Sequence, residues 1–149
     1  MARKKPGNTP PPASTDVEGW RAAIKARQLP YFRLEDMIAA IQDLKDVDEQ
    51  VKSKVAREVN DRFFRILRKA VGRNHPNSGE DIIHRTIYKL FEAIGKPNSN
   101  DGRALRKSCY SLIKLRMIDA IREKTANAAR QKISSRPAKR PMTKRRRRT

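Results

Sequence analysis

Apolar residues recur through the middle of the chain in steps of three and four, the period of helices that bury one face. The longest stripe is Val51, Val55, Val59, Phe63, Ile66, Leu67, Ala70 and Val71, which predicts a helix over about 48–72, stopped by Gly72, Asn74 and Pro76. Before it, Met37, Ile38, Ile41 and Leu44 predict a shorter helix over 34–45. After it, Ile83, Ile87, Leu90, Phe91 and Ile94 form one face of a helix over 79–94, opened by Ser78 and Asp81 at capping-box spacing. The loop GKPNSN over 95–100 ends it. A fourth helix over 101–124 carries Leu105, Cys109, Leu112, Ile113, Met117, Ala120 and Ile121 on its buried stripe. Leu115 and Ile118 fall off that stripe, which predicts a second contact there. No alternating strand pattern and no internal repeat occurs. The predicted fold is all-α, a compact bundle of about four helices.

The flanks read differently. Residues 1–15, MARKKPGNTPPPAST, hold four prolines and little that a core would bury, so they are predicted to be disordered. Beyond about Asn127 the chain runs to RPAKRPMTKRRRRT; Pro137, Pro141 and the arginines predict a disordered basic tail. The resulting organisation is a tail over 1–18, a helical domain over 19–126 and a tail over 127–149. Trp20, Tyr31 and Phe32 precede the helical stripes and are expected to pack onto the bundle.

Charge changes this picture from a plain bundle to a polyanion binder. The net charge is +20, from 36 basic and 16 acidic residues, and residues 96–149 alone carry +15 while residues 31–60 carry −2. Such a gradient suits nucleic acid, an anionic membrane surface or an acidic protein. Hydrophobic residues are 37% of the chain, below the roughly 45–50% usual in globular proteins, so the core is expected to be modest. In the fourth helix Arg103, Arg106, Lys107, Lys114, Arg116, Arg122 and Lys124 outnumber Asp101, Asp119 and Glu123. A solvated face normally mixes signs, and a bound polyanion would relieve the excess repulsion here. Nucleic acid is therefore the expected partner, with the arginine run Lys144, Arg145, Arg146, Arg147 and Arg148 adding charge at the C-terminus.

Other function classes find no support. No apolar run of about 18 residues exists, so no membrane span is expected, and the basic N-terminus leads into prolines rather than a signal sequence. One cysteine excludes an internal disulfide and any cysteine-based zinc site, which favours a cytoplasmic, nucleoid-associated location. His75 and His84 lack metal-ligand spacing, so no metal or cofactor is expected. No serine sits in a nucleophile elbow and no glycine-rich phosphate loop occurs. Glu80 and Asp81 are explained by the positive end of a helix dipole. Catalysis has no candidate residue, and the chain is not expected to be an enzyme. Cys109 reads as a small core residue. Tyr88 and Tyr110 each fall beside lysines, and Tyr110 suits base stacking as well as it suits an ordinary helix flank.

The segment EDIIHRTIYKLF, followed by RKSCYSLIKLRMIDAIREK, resembles the second conserved region of bacterial sigma factors of the extracytoplasmic-function class. The resemblance covers residues 61–124: Glu80–Asp81 stand as the acidic pair, His84 at a glutamine position, Ile87 at a phenylalanine and Phe91 at a tryptophan, and Asp119 and Arg122 close the last helix. The chain departs from the family at Ser108, where a tryptophan is usual, and at Leu115, where an asparagine is common. Nothing resembles the family's later helix-turn-helix; a basic stretch stands in its place. The resemblance implies that Asp81, His84, Arg85 and Tyr88 face the RNA polymerase core, with Asp81 and Arg85 four apart and able to pair. It also implies that Asn100, Arg103, Lys107, Tyr110, Lys114 and Arg122 lie near promoter DNA. The expected function is thus a sigma-like transcription initiation factor that binds DNA and polymerase. The alternatives are a structural nucleic-acid binder, ribosome-associated or nucleoid, for which RNA is an equal partner, and a protein-interaction module with a basic localisation signal.

Overall fold

The computed structural model describes residues 9–44, 49–72 and 75–135, with side chains as far as Gln131. Among them are six α-helices: α1 (Val17–Lys25), α2 (Leu34–Asp43), α3 (Glu49–Val71), α4 (Glu80–Ile94), α5 (Asn100–Lys107) and α6 (Cys109–Ser135). Short 3₁₀ turns at Leu29–Tyr31 and Pro76–Gly79 precede α2 and α4.

Helix α3 is the spine. Its buried residues, Val51, Val55, Val59, Phe63, Leu67 and Val71, follow one another in steps of four. Each such step advances about 40° around a helix of 3.6 residues per turn, so the stripe winds to a new side along its length. Along its length α3 meets α1 and α2 as well as α4, and at mid-helix Arg62 donates to the carbonyls of Leu29 and Pro30 at 3.1 and 3.0 Å, and to that of Phe32. The C-terminal half faces α4, with the Phe63 and Phe91 rings edge to face at 5.7 Å. Helix α4 also packs on α5 and α6, so more of it is covered than one stripe predicts. Ile82, Ile83, Thr86, Leu90, Ala93 and Ile94 are buried, whereas the expected core residues Ile87 and Phe91 are half-buried against the core. The Thr86 hydroxyl donates to the Ile82 carbonyl at 2.7 Å, which satisfies a polar group held inside the core.

Four expectations need correction. Helix α1 was absent from the predicted set; Asp16 caps it by accepting from the Gly19 amide, and Trp20 is fully buried against Phe32 at 5.6 Å. Residues 9–18 are placed rather than part of a loose tail: the Trp20 indole donates to the Ala13 carbonyl and Ser14 to Asp43. The predicted fourth helix is two helices, broken at Ser108. Finally, α6 continues to Ser135, so residues 127–135 are helical and not disordered; the expected disorder of 1–8 and 136–149 lies outside the described residues.

The predicted capping box also fails. Asn77 and Ser78 take left-handed φ of 56° and 54°, and Ser78 makes no side-chain cap. Gly79, with φ of 75°, is the cap residue because a Cβ there would collide with Val71 where α3 ends.

Candidate nucleic-acid interface

Helix α5 is held tightly on its inner side. Ser99 caps it by accepting from the Gly102 amide at 3.0 Å. Gly102 lets α5 lie against the end of α4, since a Cβ would overlap the Lys96 carbonyl and stand 2.9 Å from that of Ala93. Gln42 of α2 donates to the Gly102 carbonyl at 3.1 Å, and Arg106 grips Asp43. Arg116 of α6 donates to both Asp101 oxygens at 2.9 Å and to Asp119 at 2.6 Å, joining the start of α5 to α6. These contacts, the Asp101 hydrogen bond foremost, push the Arg116 guanidinium above its ordinary pKa.

Up to Lys124, the cations of the two helices divide into two groups. Arg106, Arg116 and Lys124 point to carboxylates and hold the bundle together. Arg103, Lys107, Lys114 and Arg122 are exposed, and none has an acidic partner among the described residues. Asn100, Arg103 and Lys107 share one outward row of α5 by their spacing, and Arg103 donates to the Asn100 side-chain oxygen at 3.2 Å. On α6, Lys114 and Arg122 stand two turns apart with Ile118 between them. All three carboxylates of α5 and α6, Asp101, Asp119 and Glu123, are engaged in ion pairs on the inner or lateral sides. The outward face is therefore cationic without counter-charge.

That face also carries apolar side chains. Tyr110 is 65% exposed and Leu115 56%, with Ile118 beside them. The sequence placed Leu115 and Ile118 off the buried stripe, and no second element of the described residues covers them. The residues Lys144, Arg145, Arg146, Arg147 and Arg148 lie outside the described residues.

Asp81, His84, Arg85 and Tyr88 all lie exposed on the outward side of α4. Tyr88 is 72% exposed, and the His84 ring stands 6.3 Å from Phe64. Asp81 and Arg85 do not pair with each other. Instead Lys124 donates to Asp81 at 2.9 Å, while Arg85 and Lys89 converge on Glu123 at 3.5 and 2.7 Å. Three pairs thus fasten the outer edge of α4 to α6. Lys124 holds the Asp81 carboxyl below its ordinary range, and Lys89 does the same for Glu123.

Two functional candidates escaped the sequence reading. Arg65 and Lys69 line an open groove on α3 together with Tyr110. Their signal was the run RFFRILRK over 62–69, which has four cations and no acid. Among the described residues no three His, Cys, Asp or Glu side chains gather as a metal site, and no helix is long and apolar enough to cross a membrane. No family model matches the chain, and no curated protein or solved structure is significantly similar to it.

Proposed function

We propose that this protein binds nucleic acid through the outward face of α5 and α6, and that it is a sigma-like initiation factor presenting α4 to the RNA polymerase core. The observation that carries the first half is the division of cations. A bundle needs only the paired Arg106, Arg116 and Lys124; four further exposed cations without counter-charge on one face raise self-repulsion unless a polyanion lies across them. Exposed Tyr110, Leu115 and Ile118 among them offer surface for bases, which phosphate-only binders do not need. The second half rests on the motif resemblance; Asp81, His84, Arg85 and Tyr88 are all exposed on α4 and so open to a partner.

One observation favours the plainer alternative, a structural DNA or RNA binder without polymerase. Asp81 and Arg85 are already engaged with Lys124 and Glu123, so a partner must compete for them. Two measurements decide between the readings. Substituting Lys107→Gln, Lys114→Gln and Arg122→Gln together is expected to weaken binding of a labelled oligonucleotide at least tenfold without loss of helicity. Unchanged affinity would refute the α5–α6 interface. Separately, polymerase subunits are expected to co-purify with the wild type and to be lost with Arg85→Glu combined with Tyr88→Ala, since interface anchors of these types often cost 1–2 kcal/mol or more. A wild type that never retains polymerase leaves the plain binder.

A further inference from the structure

The groove on α3 is a cationic surface in its own right. It encloses about 640 Å³ and runs over the outward side of the helix to Tyr110 at the start of α6. All of its charged lining is basic: Arg62, Arg65, Arg68 and Lys69. Its remaining walls are Phe64, Ile66 and Tyr110.

These side chains are not equivalent. Arg62 is fixed by three backbone carbonyls of the turn before α2. Arg68 is fixed as well, 5.4 Å above the Phe64 ring and bonded to the Ser78 carbonyl at 2.8 Å and to Glu80 at 3.3 Å. The two form walls, supply positive potential and cover the Phe64 face. Lys69 has no acidic partner among the described residues. Arg65 has its nearest carboxylate, Glu58, at 3.9 Å, the outer limit of an ion pair, and its side chain is 69% exposed. Tyr110 keeps an uncovered ring. The site therefore holds two cations free to reach a phosphate and one aromatic face free to stack.

We infer that this groove is a second track for a single strand of nucleic acid, in which a base stacks on Tyr110 beside Ile66 and Arg65 and Lys69 take the adjoining phosphates. The combination selects the ligand. An acidic peptide would satisfy the cations but leave the tyrosine face unused, and a duplex would satisfy the cations but offer no open base face. Base–aromatic stacking tolerates any sequence, so the track contributes affinity and direction rather than a sequence code. Tyr110 lines this groove and lies between Lys107 and Lys114 in the chain, so a strand on the α5–α6 face turns at Tyr110 onto α3. The inference rests on the nucleic-acid half of the proposed function and is independent of polymerase.

The test uses the full chain and a single-stranded oligonucleotide of about twelve nucleotides carrying 5-iodouracil, within the site sizes common for single-strand binders. Irradiation is expected to cross-link Tyr110, identified by mass spectrometry. Tyr110→Ala is expected to lower affinity about tenfold with an unchanged salt slope, because stacking releases no counterions. Arg65→Gln with Lys69→Gln is expected to make the slope shallower by roughly 1.4, two single-strand phosphate contacts. All three residues are exposed, and circular dichroism verifies that the variants fold. If cross-links avoid Tyr110 and these variants bind like wild type while the Lys107, Lys114, Arg122 variant does not, the groove is refuted and the α5–α6 interface stands. A wild type that fails to bind the oligonucleotide overturns both. ATP displacing the strand at equal concentration would also overturn the inference, since it would make the groove a site for free nucleotides.

Discussion

Arg106 of α5 meets Asp43 of α2 in a two-point contact, with both guanidinium nitrogens donating to the carboxylate oxygens at 2.9 and 2.8 Å. Sixty-three residues separate the pair, and Ser14 adds a third donor to the same carboxylate at 2.6 Å. One acidic residue thus ties the N-terminal segment, α2 and α5 together, and it orients the helix that carries Asn100, Arg103 and Lys107.

The Asp43 contact makes stability depend on acid. Burial acts to raise its carboxyl, but the Ser14 and Arg106 hydrogen bonds outweigh burial and hold it below its ordinary 3.8. A depressed carboxylate contributes stability that is present above 3.8 and is lost as pH falls through the folded-state value. Both partners are partly exposed, so Asp43→Asn is expected to cost only about 1 kcal/mol at neutral pH, and the cost should shrink as pH falls below 3.8. Urea unfolding of both proteins at neutral and acid pH measures this. A gap that stays constant across pH would show that the carboxylate charge plays no part.

Gly102 and Gly72 give a paired prediction. Gly102→Ala should cost about 1–3 kcal/mol, because its Cβ would be driven into the Lys96 and Ala93 carbonyls and α5 would have to shift away from α4. Gly72 has φ of 71° and open space around it, so Gly72→Ala should cost about 1 kcal/mol from backbone strain alone. Thermal melts of the two variants separate crowding from conformation; equal losses would mean that the α4–α5 approach yields freely.

Much of this architecture was legible because the long helices are decided by one face. The steps of four in α3 and the run Ile83, Leu90, Ile94 in α4 survive any tertiary context. The break at Ser108 was not legible, since Leu105, Cys109, Leu112 and Ile113 keep helical spacing straight through it while Ser108 turns to φ −149° and ψ 69°. Helix α1 was missed because two buried residues, Trp20 and Ala23, make too sparse a stripe. The extension of α6 was missed for the opposite reason: Ala126, Ala128 and Ala129 favour helix by backbone propensity, which a search for buried faces does not register.

The site was legible in its residue types and not in its pairings. The family resemblance implied that Asn100, Arg103, Lys107, Lys114 and Arg122 lie near DNA, and each is exposed. It could not sort free cations from paired ones. The carboxylates that neutralise Arg106, Lys124 and Arg85 lie 63, 43 and 38 residues away, and only the packing of α2, α4 and α6 brings them within reach.

Cys109 is expected to be inert in the folded protein. It is buried at the start of α6, and burial first, then Glu35, push its thiol up to about 12, with Arg62 opposing. The thiolate is the reactive form, so an aromatic disulfide reagent at mildly alkaline pH should label it only after unfolding. Labelling should follow the urea transition seen by circular dichroism. Rapid labelling of the native protein would instead reveal local opening between α5 and α6.

The last prediction concerns the basic C-terminus. Residues 127–149 contain ten basic residues: Arg130, Lys132, Arg136, Lys139, Arg140, Lys144 and the four arginines Arg145 to Arg148. The side chains of Asn127 to Gln131 are exposed, and the bundle is expected to keep its melting temperature when the segment is removed. Binding should change much more. If about six phosphates are neutralised by the whole protein, log affinity falls with log salt at a slope of roughly −4 to −5, depending on strandedness. Deleting 127–149 is expected to make that slope clearly shallower and to weaken binding most at low salt, where counterion release counts for most. The remaining slope then belongs to Arg103, Lys107, Lys114, Arg122 and the α3 groove. Fluorescence anisotropy with one oligonucleotide, titrated at several salt concentrations, gives both slopes directly. A truncated protein with the wild-type slope would mean that the arginine run does not touch phosphate, and the cationic face of α5 and α6 would then account for all of the binding.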